Sequence, residues 1–441
     1  MKNNRPLIKL FAVNGTFYMY DAVPNKLISI SSQDLYATLH KIMALGCEYI
    51  DLIEDSSVKN QILKLFRQGF LHNPICDIEH PYTKYSEFIL ERSVETLTLE
   101  ITQNCNFKCR YCSFANQNAE RSHSASHMSK EIIQKAIDLY KQSSIDFPSV
   151  SISFYGGEPL LAFSQIKYAM EYAEKSFFSK PIKYYMTTNA ALLSGEVVDF
   201  LVNKNVDLLI SYDGPQEVQD KNRRFLANGK STFDIVKKNL EYIEYNHPEF
   251  FANNIMINSV LLNKSDRAKA EEFFDSFNLP KGCIRINMAN TEHIEFINEG
   301  VESPLIEDDR DQKDFESILN KESVVTDICH HSGPCVPGGK KLFVTTNGDL
   351  YPCEKVNTSN PAYIIGSVFA GFDKDKVNTL LNIGQISKER CTNCWAINFC
   401  SMCCAQCDGI NNLDDTIKKQ RCAILKKNVL SFLKQYASTS L

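Results

Sequence analysis

Hydrophobic and polar positions follow two rhythms along this chain, and the change falls near residue 90. Before it, short apolar runs at 7–11, 16–21 and 26–30 are separated by Asn-Gly and Pro-Asn turn signals, the pattern of a small antiparallel meander. Leu35, Leu39, Ile42 and Met43 then recur at helical spacing, as do Val58, Ile62, Leu65 and Phe66, so each segment predicts a helix with one apolar stripe. Three strands and two helices make residues 1–90 a winged-helix-like module. The segment 73–87, with two prolines and no period, reads as a linker.

From about residue 95, strands expected at 97–102, 150–155, 182–187, 206–211 and 255–262 alternate with helical stretches near 129–142, 163–178, 195–203, 232–245 and 265–277. That alternation implies a parallel sheet covered by helices. Parallel α/β folds place their chemistry at the C-terminal ends of strands, and two unusual sequences sit there: ITQNCNFKCRYCSF after the first strand and YGGEP after the second. Beyond about residue 290 the order weakens. A cysteine-rich region follows, with one hairpin around 343–351 and a final helix, and it has too little apolar core to fold unaided.

Composition sharpens this outline. A chain of 441 residues that is 44% apolar supplies more than one packed core, so two or three domains are expected. The 48 basic and 53 acidic residues give a formal charge of −5 with no basic run, which argues against a nucleic-acid partner. No stretch reaches the ~18 apolar residues of a membrane span, and the N-terminus lacks a small-residue cleavage site, so a cytoplasmic protein without a membrane partner is expected. In that reducing compartment sixteen cysteines point to metal or redox chemistry rather than a disulfide framework.

Cys105, Cys109 and Cys112 are spaced C-x3-C-x2-C with no histidine in the loop. Structural zinc wants four ligands, whereas three on a four-iron cube leave one iron open for a small molecule. A zinc knuckle that borrows a distant fourth ligand is the plainer alternative. Cys47, Cys76 and Cys283 stand alone and read as buried apolar thiols.

The three-cysteine loop with Tyr111, followed about forty residues later by Gly156, Gly157, Glu158 and Pro159, resembles the radical S-adenosylmethionine (SAM) superfamily. The resemblance implies a catalytic 4Fe-4S cluster on Cys105, Cys109 and Cys112, with SAM chelated at the open iron. It also implies reductive cleavage of SAM to a 5′-deoxyadenosyl radical that abstracts hydrogen from substrate, and a one-electron donor such as flavodoxin or ferredoxin. Gly156 and Gly157 allow close backbone approach to the ligand, and Glu158 can accept from the SAM ammonium; a tight turn is the bland reading. Asn189, Ser211 and Asp213 end the next strands, where the family contacts SAM, although turn chemistry alone would also place them there.

The C-terminal cysteines are similar in spacing to that family's SPASM extension, while a pair of zinc ribbons is the alternative. The resemblance implies two auxiliary 4Fe-4S clusters, one on Cys329, Cys335, Cys353 and Cys404 and the other on Cys391, Cys394, Cys400 and Cys422, making three clusters per chain. The fold implied is α/β, a partial (β/α)6 TIM-like barrel at 91–300 between the module at 1–90 and a SPASM domain at 301–441. Relatives of this kind mostly modify peptides. The N-terminal module resembles a precursor-recognition element that takes a leader peptide as an added strand, though it also reads as a structural appendage. The expected function is oxidative crosslinking of a ribosomally made peptide, with a cysteine thioether as the bond. A sulfatase-maturase-like formylglycine-forming enzyme and a non-catalytic iron-sulfur electron carrier are the alternatives. Glu354, next to Cys353, occupies the place of a catalytic carboxylate in sulfatase-type relatives and is either an acid/base group or a solvated loop residue.

Overall fold

The computed structural model describes residues 5–112, 124–277, 279–280, 282–288, 309–323 and 325–440. The chain divides into two compact units. One comprises residues 1–84, 305–335 and 378–441, the other 85–304 and 336–377. The span 301–441 expected as one domain is therefore shared between them, and 289–308 lies outside the described residues. No helix among the described residues is long and apolar enough to cross a membrane.

The first unit begins with the expected meander. Strands Ile8–Val13, Thr16–Asp21 and Lys26–Ile30 pair antiparallel in sequence order, and the helices Gln33–Leu45 and Ser56–Arg67 follow. Alternation along the strands sends Ile8, Leu10, Met19 and Ile30 to a core shared with Leu35, Leu39, Ile42, Val58 and Ile62. The opposite face carries Phe11, Tyr18 and Tyr20, which pack with Phe399, Val429, Phe432 and Leu433 from the cysteine-rich end of the chain. Both faces of this small sheet are thus covered. The supposed linker at 73–87 is ordered: Asp77–Ile78 pairs parallel with Ile328–Cys329, and Glu79 N donates to Cys329 O at 2.9 Å. That partner lies about 250 residues away in sequence, so no local period could announce it.

The second unit is an α/β fold built on a mixed sheet. Six parallel strands run in spatial order 284–288, 255–261, 207–211, 182–188, 150–156 and 96–102. Helices connect them, and Leu97, Leu99, Ile152, Phe154, Ile210 and Ile257 are buried, as expected for strands covered on both faces. The sheet extends past 96–102 through Leu342–Val344, which is parallel to it, and then through antiparallel strands at 349–351, 366–367 and 371–372. The hairpin expected at 343–351 is therefore part of this sheet.

Candidate active site and cysteine centres

The three-cysteine loop leaves the C-terminal end of Thr96–Thr102 and is clipped in place by a second strand. Phe107–Cys109 pairs antiparallel with Arg223–Phe225, in a register that sets Arg223 opposite Cys109. Leu226 N donates to Asn106 O, Arg110 N to Asn222 O, and the rings of Phe107 and Phe225 meet edge to face at 5.1 Å. Cys109 and Cys112 close one turn, with Cys112 N donating to Cys109 O at 3.2 Å. Burial pushes the Cys105 and Cys109 thiols up to about 12, and Arg223 opposes that rise at Cys109.

Behind the loop lies a closed polar group. Asp213 is fully buried, and its two carboxylate oxygens stand 2.9 and 2.7 Å from the Tyr111 hydroxyl. Val260 N donates to the same carboxylate, Arg223 Nε lies 3.2 Å from it, and Arg223 Nη1 reaches Cys109 Sγ at 3.7 Å. The guanidinium also sits over the Tyr111 ring at 5.1 Å. Gln219 fixes the backbone by accepting from Asp213 N, while Ser259 donates to Asp213 O. Arg223 was not anticipated. Its only sequence signal is the basic pair in NRRF, eight residues beyond the strand-end SYDGP.

Gly156 and Gly157 serve a close approach, and the neighbour they admit is backbone of the chain itself. A Cβ on Gly156 would stand 2.0 Å from Thr102 O, and one on Gly157 2.2 Å from Asn104 O. Gly157 N and Glu158 N instead donate to those same two carbonyls, which locks the GGEP strand end against the start of the cysteine loop. Buried Glu158 accepts from Thr188 Oγ1 (2.7 Å) and Leu160 N (3.1 Å) on one oxygen, and from Asn189 N (2.7 Å) on the other. Burial raises its pKa and these donors pull it back. A carboxylate offers about four acceptor positions, so one stays available beside the three used. Asn189 donates to Asn106 Oδ1, tying the third strand end to the loop as well. Ser211 ends its strand half-buried opposite Asn258.

Glu354 belongs to the same unit. Its Oε1 pairs with Lys341 Nζ at 2.5 Å, its Oε2 is buried without a hydrogen-bond partner, and its side chain is 14% exposed. It is not a solvated loop residue.

Residues 99–276 match the family model of the Radical SAM superfamily. The chain carries a radical SAM domain. It is 26% identical over 306 residues to the radical SAM cyclopropyl synthase TigE of Paramaledivibacter caminithermalis, covering 63% of this chain and 60% of that protein. It is also 32% identical over 150 residues to the serine-type anaerobic sulfatase-maturating enzyme of Bacteroides thetaiotaomicron, covering 34% of this chain and 36% of that enzyme. The chain thus spans less than two thirds of either relative. The solved structure of native anSMEcpe with bound AdoMet and Cp18Cys peptide shares the fold with a TM-score of 0.52 and 19% identity, over 78% of this chain and 99% of that one.

The remaining cysteines lie mostly in the other unit. Cys394 N donates to Cys391 O, and the Cys400 thiol, pushed up to about 12 by burial, feels Cys394, Cys391 and Cys422. These four therefore share one neighbourhood. Cys391 Sγ has three polar neighbours: Ser387 Oγ at 3.2 Å, His331 Nε2 at 3.6 Å and Lys418 Nζ at 3.7 Å. Burial and the Lys418 charge push the His331 imidazole down to about 3. Of the other expected set, Cys329 is buried on its short strand, Cys404 is buried, Cys335 is exposed, and Cys353 falls in the radical SAM unit. Among the described residues no three His, Cys, Asp or Glu side chains stand at metal-ligating separation, so Cys391, Cys394, Cys400 and Cys422 are within electrostatic reach without meeting at one point. The donor chemistry fits iron-sulfur clusters. The loop thiols at Cys105, Cys109 and Cys112 and the set around Cys391 offer soft sulfur ligands, each with a cation aimed at one sulfur, the surroundings that anionic clusters take. Cys47, Cys76 and Cys283 are not buried: Cys76 is exposed and the other two are half-buried. Free cysteine is usually buried, but the nonlocal pairing at 77–78 leaves Cys76 at the surface.

Proposed function

We propose that this chain is a radical SAM peptide maturase that oxidatively crosslinks a ribosomally synthesised peptide. The observation that carries the reading is the convergence of three elements at one sheet end: the clipped three-thiol loop, the GGEP strand end hydrogen-bonded to its first turn, and Asn189 bridging both. Cys105, Cys109 and Cys112 hold the catalytic 4Fe-4S cluster, with Glu158, Gly156, Gly157, Asn189 and Ser211 around SAM. When bound, cluster and SAM supply one-electron sulfonium cleavage and hydrogen abstraction from the peptide, with flavodoxin or ferredoxin as the electron source. The protein contributes orientation. Asp213, itself fully buried, is a positioning residue that fixes Tyr111 and Arg223 against Cys109. Glu354, paired with Lys341 and with one oxygen unpartnered, is the acid/base group for the substrate.

In the other unit the SPASM region holds the auxiliary cluster on Cys391, Cys394, Cys400 and Cys422, the family resemblance implying a further one on the remaining set, and residues 1–90 bind the leader. The edge strand Lys26–Ile30 is the surface available for strand addition. A peptide partner is supported by the cyclopropyl synthase and sulfatase-maturating relatives and by the peptide bound to the solved structure of this fold.

The test is anaerobic incubation of reconstituted enzyme with SAM, dithionite and the peptide encoded beside its gene. A crosslink removes two hydrogens from the peptide, and a thioether also removes a thiol that iodoacetamide would otherwise label. Loss of two hydrogens with the thiol intact excludes a thioether, and fragmentation that shows two residues joined through carbon, with no aldehyde reactive to hydrazide, assigns a carbon–carbon bond of the sort the name cyclopropyl synthase denotes. An unmodified peptide beside abundant 5′-deoxyadenosine refutes the peptide assignment. A sulfatase peptide converted to formylglycine would establish the alternative reading.

A further inference from the structure

We infer that Lys418 is the built-in countercharge of an anionic sulfur centre at Cys391, holding and electrically balancing the second auxiliary cluster. The inference rests on the proposed assignment of Cys391, Cys394, Cys400 and Cys422 as the ligands of that cluster.

Lysine is almost never fully buried unless paired, yet Lys418 is 0% exposed. Its ammonium makes three contacts: Ile383 O at 2.6 Å, Ser387 Oγ at 2.7 Å and Cys391 Sγ at 3.7 Å. The first two acceptors are neutral. Asp415, one turn earlier on the same helix, is occupied by Arg390 through contacts of 3.1 and 2.5 Å. Of the atoms the ammonium touches, only the sulfur can carry negative charge. A neutral thiol would leave the buried cation only the more distant Asp415 carboxylate, which feels Lys418 but is already held by Arg390, whereas an iron-bound thiolate supplies the missing charge at contact.

The placement follows from the helix Asp415–Ser440. Lys418 stands four residues before Cys422 and in line with buried Val429 and Leu433, so the same face that offers a ligand also offers the charge. Hydrogen bonds and nearby charge set iron-sulfur potentials. A cation beside a ligand sulfur favours the reduced, more negative state, so Lys418 makes this cluster easier to reduce.

The test uses the full chain, reconstituted anaerobically, with iron and sulfide content and the midpoint potential of each cluster read by EPR-monitored titration. Lys418→Gln keeps polar contacts and drops the charge. It is expected either to lose one cluster, about four of about twelve irons, or to keep it at a more negative potential, while Lys418→Arg restores iron and moves the potential back toward wild type. If Lys418→Gln does not fold, Lys418→Met is read in the same way. Wild-type iron content with unchanged potentials overturns the inference, and so does a Lys418→Arg protein as defective as Lys418→Gln, which would mark a packing role. Cys391→Ala retaining all its iron would instead overturn the ligand assignment, a separate failure visible in its own variant.

Discussion

Two cations each aim a nitrogen at a cysteine sulfur from 3.7 Å, Arg223 at Cys109 and Lys418 at Cys391, but only the first arrives already neutralised. Arg223 lies 3.2 Å from the buried Asp213 carboxylate, so the pair adds little net charge near its thiol. Lys418 touches only a carbonyl and a hydroxyl besides sulfur. The fold therefore spends its cation at Cys109 on geometry and its cation at Cys391 on charge. Coulomb attraction in a poorly polarisable interior is strong enough to make the distinction matter.

The largest expected effect comes from Arg223→Met, which strands the Asp213 carboxylate in the interior. A broken buried pair costs about 3–5 kcal/mol, so denaturant unfolding should show that loss in the radical SAM unit, with SAM cleavage abolished. Adding Asp213→Asn should recover much of the stability without recovering activity. If the single variant were as stable as wild type, Arg223 would not be the partner that keeps Asp213 buried.

A carboxylate without any cation tests the same contrast from the other side. Asp21 in the first unit is fully buried and accepts only backbone N–H groups, from Leu71 and Val23, and burial pushes its pKa from 3.8 up to about 6. Because the folded state holds this proton more tightly than the unfolded state does, stability is greatest at low pH and falls as pH rises from about 4 through about 6. The loss is on the order of 3 kcal/mol. Asp21→Asn should flatten the pH dependence of unfolding across that window, and a variant that keeps the wild-type slope would assign the proton elsewhere.

Smaller again is Tyr111→Phe. It removes one hydroxyl from Asp213 and should cost about 1–3 kcal/mol for the hydrogen bond left unmade. The cluster on Cys105, Cys109 and Cys112 should keep its iron, because the Arg223 pair persists. Smallest is Arg390→Gln. The pair with Asp415 is partly exposed, so its direct contribution is about 0–1 kcal/mol. The informative readout is the cluster potential. Arg390 also hydrogen-bonds Cys422, so its loss both withdraws a cation from a ligand sulfur and frees Asp415 toward Lys418. Both changes should make the potential more negative, whereas an unchanged value would contradict a role for either.

Local periodicity carried most of the fold. The meander, its two helices and the alternating strands and helices from residue 95 are all readable because each depends on neighbours within a few residues. What escaped reading depends on distant partners: Asp77–Ile78 bound to Ile328–Cys329, the Leu342–Val344 extension of the sheet, and the sharing of the small sheet's second face with Phe399 and Val429. At the site, Cys105, Cys109, Cys112 and the GGEP turn were legible because their spacing is local. Arg223 and Lys418 were not, since a basic residue in NRRF or TIKKQR looks solvated until register and helix phase turn it inward. Lys418 did leave a trace: it stands one helical turn before Cys422, on an otherwise apolar stripe.

The central claim is that the clipped loop is the seat of radical SAM chemistry, and one measurement reaches it directly. Reconstituted enzyme is incubated anaerobically with SAM and dithionite, and 5′-deoxyadenosine is quantified for wild type and for the variant with Cys105, Cys109 and Cys112 all replaced by alanine. Wild type should form it steadily, and the triple variant should form none while still holding about eight irons on the auxiliary sites. A triple variant that makes 5′-deoxyadenosine at the wild-type rate would contradict the account.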